Sequence, residues 1–244
     1  MRYLVISDVH ANIEALEAVL THAGAFDHAL VLGDLVGYGA DPNAVIDRVR
    51  SLPNATFIRG NHDKVGSGLE GTDGFNYLAR HAIEWTAATL TPDHRAWLAA
   101  LPQGPAIVDE LVEICHGAPF DEDVYIFDDL DAVRAFHAAR RPLCLFGHTH
   151  VAAAFELRNG RRAVSGVRST RIDLPAGGET RLLVNCGAVG QPRDGDPRAA
   201  YGVLDTAART LTLERVAYDV AAAQAKILAA GLPDVLAQRL AVGR

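Results

Sequence analysis

The sequence has 244 residues, of which 49% are hydrophobic and 22% are charged, and this composition predicts a globular protein with a sizeable core. The formal net charge is −7, which argues against a broad basic surface for binding nucleic acids or anionic membranes. Neither a signal-peptide core nor an apolar run of roughly 18 residues is present, so no membrane association is expected.

Strands and helices alternate along the first sixty residues. Buried strands are predicted at 3–7, 28–33 and 56–60, where short apolar runs end at turn signals. Between them, apolar residues at helical spacing predict helices at 12–24 and 41–52. Strand–helix repetition with short connections predicts a parallel sheet covered by helices.

The middle of the chain continues the α/β pattern. Residues 76–100 are predicted to be helical with a break near Leu90, and 106–117 to form two strands around a tight turn. A short helix is predicted at 129–140, followed by a buried strand at 142–147.

The last hundred residues predict more strands and a helical end. A hairpin turn is predicted at Asn159-Gly160, strands in RLLVNCG, AAYGVLD and RTLTLERV, and helix from Asp219 onward. Neither an internal repeat nor a low-complexity linker is found, so a single domain over 1–244 is the simplest expectation. The three cysteines lack C-x-x-C spacing and predict buried free thiols in a reducing, cytoplasmic compartment.

Polar residues with metal-binding chemistry follow five of the predicted strands. In open α/β sheets, ligand sites form just beyond the carboxyl ends of strands, so these side chains are expected to meet. They are Asp8 and His10, Asp34, Asn61 with His62 and Asp63, His116, and His148 with His150.

These residue types indicate a metal site. Carboxylates and imidazoles suit first-row divalent ions, and the absence of cysteine argues against a closed structural zinc site. In extended chain, residues i and i+2 face the same side about 6.6 Å apart, so Asp8 with His10, and His148 with His150, are each expected to present two ligands. A pair of metals suits such ligand pairs, with Asp34 able to bridge them, although a single ion remains an alternative.

The ordered motifs resemble the calcineurin-like metallophosphoesterase superfamily. They are D-x-H at 8–10, G-D at 33–34, G-N-H-D at 60–63, an isolated histidine at 116 and G-H-T-H at 147–150. The segment at 185–205 is similar to that of a branch of small bacterial and archaeal predicted phosphoesterases. The resemblance implies an α/β fold with two facing mixed sheets flanked by helices.

The same resemblance implies a site with two divalent ions, manganese being the first expectation and iron, zinc or magnesium the alternatives. A hydroxide that bridges the two ions would attack phosphorus. The catalytic residue would be His62, which would stabilise the transition state or protonate the departing oxygen. The implied ligands are Asp8, His10, Asp34 and His150 for the first ion, and Asp34, Asn61, His116 and His148 for the second.

One difference from a known motif of this superfamily narrows the range of expected activities. Serine/threonine protein phosphatases have G-D-x-x-D-R-G where this chain has GDLVGYG, so Gly37 and Tyr38 replace an acid and an arginine. A dedicated protein phosphatase is therefore not expected. Arg193 or Arg198, in a turn-rich segment, could contact the substrate phosphate instead. The acidic run at 121–129 lacks EF-hand spacing and is predicted to be a solvated loop.

The predicted function is hydrolysis of a small phosphodiester or nucleotide. A phosphomonoesterase and a nucleoside-polyphosphate hydrolase, of the diadenosine tetraphosphate type, are the enzymatic alternatives. A scaffold that keeps the fold and the metals without the chemistry is the alternative from another class. The expected partner is a small phosphate ester or nucleotide, with no stable binding of nucleic acid.

Overall fold

The computed structural model describes residues 1–158, 161–162, 169–175 and 180–244. Strands β1 to β12 span Arg2–Ile6, His28–Val31, Ala55–Phe57, Ala106–Ile107, Val112–Ile114, Leu143–Phe146, Ala153–Arg158, Arg161–Arg162, Arg171–Asp173, Thr180–Asn185, Ala199–Asp205 and Thr210–Val216. Helices α1 to α8 span Ile13–Ala23, Pro42–Arg50, Asn61–Ser67, Tyr77–Thr89, Pro92–Ala99, Asp129–Ala138, Val220–Ala229 and Asp234–Leu240. The turn predicted at Asn159-Gly160 lies outside the described residues.

The strands form two six-stranded mixed sheets. The first has the order β3-β2-β1-β11-β12-β9, and the second has the order β4-β5-β6-β10-β7-β8. In each sheet three strands run parallel, β1 with β2 and β3, and β6 with β5 and β10. The other pairings are antiparallel. The predicted α/β class with two facing mixed sheets flanked by helices is confirmed.

Alternation along the central strands explains this layering. On β1, Leu4 and Ile6 pack under the helices α1, α2, α4 and α5, whereas Tyr3 and Val5 face the other sheet. On β6, Leu143 and Leu145 point into the same space between the sheets, while the alternate residues pack against α6. Because successive side chains of a strand point to opposite faces, each sheet is buried on both sides.

One local feature differs from the sequence expectation. The third strand ends at Phe57, so the G-N-H-D motif begins α3 instead of following a strand that runs to Gly60. The three cysteines are free and buried, as predicted. Within the part of the chain that is described, no helix has the length and apolar character needed to cross a membrane.

Candidate metal centre

The loops that carry the predicted ligands have an unusual backbone. Seven of the nine described non-glycine residues with positive φ lie in these loops. They are Asp8, His10, Ala11, Asp34, Tyr38, His148 and His150, with φ between 48° and 67°. Such left-handed residues each cost roughly 1–3 kcal/mol and concentrate at functional sites, where the surrounding structure holds them in place.

This backbone corrects the reason given for the ligand pairs. Asp8 and His10, like His148 and His150, were expected to face one side of an extended strand. The structure brings each pair together through left-handed turns beyond the strand ends. Backbone hydrogen bonds hold the turn after β1 against the turn after β2, since the amides of Asp8 and His10 donate to the carbonyls of Gly33 and Asp34, both at 3.0 Å.

Four side chains from both sheets form the first group of potential ligands. Asp8, His10, Asp34 and His150 are all buried, and one ligand atom from each lies within 4.8 Å of the others. His150 Nε2 is 3.2 Å from Asp8 Oδ1, and His10 Nε2 is 3.5 Å from Asp34 Oδ2. These donors are of the types that bind first-row divalent ions.

Asp34 also belongs to a second group, with His116 and His148. Its Oδ2 atom lies 3.4 Å from His116 Nε2, nearly the same distance as to His10 in the first group. The other oxygen, Oδ1, accepts the backbone N–H of His62 at 2.8 Å. That bond fixes the carboxylate so that one oxygen faces both groups.

Each of the four clustered histidines is anchored by a backbone carbonyl on one side of its ring. The Nδ1 atoms of His10, His116 and His150 are 3.0, 2.8 and 2.7 Å from the carbonyls of Val36, Leu32 and Gln191. For His148 the anchored atom is Nε2, 3.2 Å from the Asp123 carbonyl. A carbonyl only accepts, so the anchored nitrogen carries the proton and the opposite nitrogen offers its lone pair to the cluster.

The inward-facing nitrogens are crowded. His10 Nε2 and His150 Nε2 are 3.1 Å apart, and so are His148 Nδ1 and His116 Nε2. Between His10 and His150, with the anchored nitrogens protonated, two lone pairs face one another at this distance and repel unless a positive charge lies beside them. The donor set therefore fits cations bound next to the carboxylates.

The electrostatics of the centre agree with this fit. Burial lowers the pKa of His10 well below its usual value and that of His148 to about 3, so both imidazoles are neutral at pH 7. Burial also opposes a charge on His116, yet the Asp34 carboxylate raises its pKa to about 10. The pKa of Asp34 is held well below its usual range by the neighbouring histidines, although burial acts in the opposite direction. The centre thus favours positive charge beside Asp34.

Asn61 and His62 lie beside the two groups. Asn61 Oδ1 is 3.2 Å from His116 Nε2, at the second group. The His62 ring packs against His10, Tyr38 and Phe75, with centroid distances of 4.8, 4.5 and 4.7 Å. Burial lowers the His62 pKa to about 4. Its Nδ1 atom is buried without a hydrogen-bond partner among the described residues.

Gly37 makes room for His62. A Cβ atom at Gly37 would lie 2.3 Å from His62 Nδ1, and its φ of +88° is one that only glycine adopts readily. Any side chain at position 37 would therefore displace the imidazole edge of His62.

Asp63 supports the backbone of the site. Its Oδ1 accepts the amides of Leu35 and Val36 at 2.8 and 3.2 Å, and its Oδ2 accepts the Gly60 amide at 3.0 Å. Burial and the nearby Asp34 charge raise the Asp63 pKa to about 7, while these hydrogen bonds act in the opposite direction. Asp63 is therefore a positioning residue for the loop that holds Asp34.

The two candidate arginines have different surroundings. The Arg193 guanidinium lies 5.7 Å from the Tyr38 ring centroid, and its Nη2 donates a hydrogen bond to Gln191 Oε1 at 3.0 Å. Arg198 is paired with Asp196 at 2.6 Å and borders a separate depression with Cys186. The structure thus brings Arg193 to the metal centre and does not bring Arg198 there.

The acidic run at 121–129 is a loop with most of its residues exposed, as predicted, but two of its side chains make contacts that the sequence does not indicate. Glu122 is buried and paired with Arg59 at 3.0 Å, and Tyr125 stacks on His148 with a centroid distance of 3.9 Å. The aromatic residues within the run are the only feature of its sequence that indicates this packing. The surrounding acidic residues favour a solvated loop.

A cleft of about 250 Å³ opens beside the centre. Its walls combine residues of the site with aromatic, apolar and charged side chains. Its lining includes Tyr38, Asn61, His62, Lys64, Glu70, Phe75, Asp123, Tyr125 and His148. A small molecule in this cleft would contact His62 and His148 directly.

The chain belongs to the calcineurin-like phosphoesterase superfamily. The profile described as the calcineurin-like phosphoesterase superfamily domain matches residues 1–209. An uncharacterised protein of Methanocaldococcus jannaschii is 34% identical over 250 residues, covering 98% of this chain and 97% of its own length. Family membership supports a hydrolase of phosphate esters, with Asp and His groups able to hold metal ions.

Solved structures show the same architecture. The crystal structure of a metallophosphoesterase from Sphaerobacter thermophilus is 40% identical with a TM-score of 0.88, covering 100% of this chain and 99% of that one. A hypothetical protein from Pyrococcus horikoshii shares the fold at 17% identity, with a TM-score of 0.77 and coverage of 100% and 98%.

Proposed function

We propose that this protein is a metal-dependent phosphoesterase that hydrolyses a small phosphodiester or nucleotide with the help of two divalent ions. Phosphomonoesters and nucleoside polyphosphates are the alternative substrates. The observation that carries the proposal is the set of four buried imidazoles, each anchored to a backbone carbonyl and each turning its free nitrogen toward the carboxylates of Asp8 and Asp34. A scaffold without chemistry has no need for His62 at the cleft.

The proposed ligands follow the two groups of side chains. Asp8, His10, Asp34 and His150 would hold one ion, and Asp34, Asn61, His116 and His148 the other. Manganese is the first choice, with iron, zinc or magnesium as alternatives. Bound ions of this kind activate a solvent molecule as the nucleophile and stabilise the charge on phosphoryl oxygens.

His62 and Arg193 would act on the substrate directly. His62 lines the cleft beside both groups, where its ring, neutral at pH 7, can donate a hydrogen bond to the phosphoryl group; it could protonate the departing oxygen once the charge of a bound phosphate raises its pKa. The Arg193 guanidinium, which packs over the Tyr38 ring and is held by Gln191, would contact a phosphoryl oxygen. Tyr38 thus stands where protein phosphatases have arginine and instead supports an arginine from a distant loop.

The proposed location is the cytoplasm, because three unpaired buried thiols suit a reducing compartment. The proposed partner is a small phosphate ester, and no nucleic-acid or membrane partner is proposed for a chain with a net charge of −7.

Metal content and hydrolysis, measured together, test this function. We expect two ions per chain by elemental analysis, and hydrolysis of bis-p-nitrophenyl phosphate, p-nitrophenyl phosphate or both in the presence of manganese. The variant His62→Ala is expected to keep both ions and to lose roughly 10²–10⁴-fold in kcat, the typical contribution of a general acid.

His81→Ala is the matched control, since His81 is an exposed histidine on α4 that does not line the cleft. It should retain both metal content and kcat. A wild-type protein that holds two ions but hydrolyses neither ester nor any nucleotide would favour the scaffold. Loss of metal by His62→Ala with activity intact would contradict the role assigned to His62.

A further inference from the structure

One wall of the cleft is an ion-pair network around Lys64. The Lys64 ammonium lies 2.7 Å from Glu70 Oε2 and 2.7 Å from Asp123 Oδ2, and its side chain is only 9% exposed. Glu122 Oε1 lies 3.4 Å away. The one lysine that lines the cleft is therefore already surrounded by carboxylates, and its charge is not free to bind a substrate phosphate.

The charges of this network do not cancel. Arg59 binds Glu122 with two nitrogens, Nη2 to Oε1 at 3.0 Å and Nε to Oε2 at 3.2 Å. Lys64 then balances only one of Glu70 and Asp123, which leaves one negative charge in excess. The side chains of Glu70 and Asp123 are 56% and 48% exposed, so this excess charge faces the cleft and solvent.

The negative wall adjoins the metal centre. The Asp123 carbonyl, on the same residue as one carboxylate of the wall, anchors His148 at 3.2 Å. A substrate whose phosphate reaches His62 and His148 must place its organic part in the rest of a cleft of about 250 Å³, between Phe75 and Glu70. Any second anionic group on a small substrate is therefore brought near this wall, where like charges repel.

We propose that the cleft selects phosphate esters whose organic part carries no second negative charge, and that Glu70 and Asp123 are the residues that set this preference. The inference rests on the proposed function, because it concerns the substrate of the same site. It favours esters with a neutral or cationic organic part. It disfavours carboxylated esters and nucleoside polyphosphates, whose additional phosphates would face the wall.

Three phosphonates of similar size test the preference without hydrolysis. Their organic parts are cationic in 2-aminoethylphosphonate, neutral in 2-hydroxyethylphosphonate and anionic in phosphonoacetate. Calorimetry on the manganese-loaded wild-type protein should show phosphonoacetate binding about tenfold more weakly than the neutral analogue. In Glu70→Gln this difference should largely disappear, which corresponds to about 1.4 kcal/mol, while affinity for the neutral analogue stays within about twofold.

Glu84→Gln removes the same charge from an exposed glutamate on α4 outside the cleft and serves as the matched control. It should bind all three phosphonates like the wild type. Asp123→Asn is a second variant that should act like Glu70→Gln. Equal binding of the three phosphonates by the wild type, or an equal response of the Glu70 and Glu84 variants, would overturn the inference.

Hydrolysis separates this inference from the proposed function. If glycerol 3-phosphate and 3-phosphoglycerate are hydrolysed with equal KM values by the wild type, the phosphoesterase activity is supported and the charge preference is contradicted. If the phosphonates show the expected preference but no phosphate ester is hydrolysed, the charge preference stands and the phosphoesterase proposal falls. If no phosphonate binds and no ester is hydrolysed, both fall.

Discussion

Arg193 and Arg198 lie five residues apart in one loop, and this pair offers a test of substrate contact at single-residue resolution. Arg193 packs over Tyr38, which lines the cleft, and hydrogen-bonds to Gln191, whereas Arg198 is held by Asp196 away from the cleft. A hydrogen bond to a charged group contributes about 1.5–3 kcal/mol. We therefore expect Arg193→Gln to raise KM for p-nitrophenyl phosphate roughly 10–100-fold.

Arg198→Gln removes the same charge from the same loop and should leave KM and kcat unchanged. Steady-state kinetics of the two variants, at saturating manganese, give the comparison. Equal losses in both variants would mean that the loop acts through its net charge and not through a contact made by Arg193.

At the scale of secondary-structure elements, the Asp63 carboxylate joins the turn after β2 to the start of α3. It accepts three buried amides, from Leu35, Val36 and Gly60. In Asp63→Asn the carboxamide keeps one oxygen and sets an N–H₂ group against a backbone N–H. A buried donor left without its acceptor costs about 1–3 kcal/mol, and we expect a loss of that size in the free energy of unfolding measured by urea denaturation.

Asp73→Asn is the control for this change, because Asp73 is exposed in the segment before α4. It should unfold at the same urea concentration as the wild type. If Asp63→Asn is as stable as the Asp73 variant, the three hydrogen bonds do not link the two elements as described.

Most of the elements and the positions of the candidate ligands could be predicted, because short apolar runs ended by turn signals mark the strands that carry them. The start of α3 could not. Its sequence, NHDKVGS, has few strong helix formers, and the His62 amide in its first turn is satisfied by the carboxylate of Asp34, 28 residues earlier in the chain. Helix propensity depends on residue type and takes no account of hydrogen bonds from residues distant in sequence.

The left-handed turns and the ion-pair wall of the cleft could not be predicted from the sequence for a related reason. Asp8 and His148 adopt positive φ because neighbouring loops hold them there, and nothing in either residue type demands it. Lys64 meets Asp123 only because the fold brings α3 beside the loop before α6. Pairing over 59 residues leaves no periodic signal in the sequence, so the contacts of Glu122 and Asp123 with the rest of the fold could not be predicted.

At the scale of the whole molecule, both sheets contribute ligands to each candidate metal group. Asp8, His10 and Asp34 follow strands of the first sheet, while His116, His148 and His150 follow strands of the second. Ions bound here would stabilise only the folded arrangement of the two sheets. Binding at one hundred times the dissociation constant adds about 2.7 kcal/mol for each site.

We therefore expect chelation to lower the Tm and manganese to restore it in a concentration-dependent manner, as measured by thermal denaturation. The gain should be smaller at pH 5 than at pH 7.5, because binding must displace the proton of His116, whose pKa the Asp34 carboxylate raises to about 10, and this displacement becomes harder as the pH falls. In His150→Ala the manganese-dependent gain should shrink. A Tm indifferent to manganese in the wild type would contradict a centre shared by the two sheets.

The origin of the ligands in both sheets has a consequence for residues far from the cleft. Val5, Leu30, Ile114 and Leu145 fill the space between the sheets and thereby set the spacing of the loops above them. A cavity or an oversized side chain at this depth would tilt one layer against the other and spread donors that now converge. Substitutions in this buried interior should thus register as weakened ion affinity, even where the chain still folds and every polar group at the rim is intact.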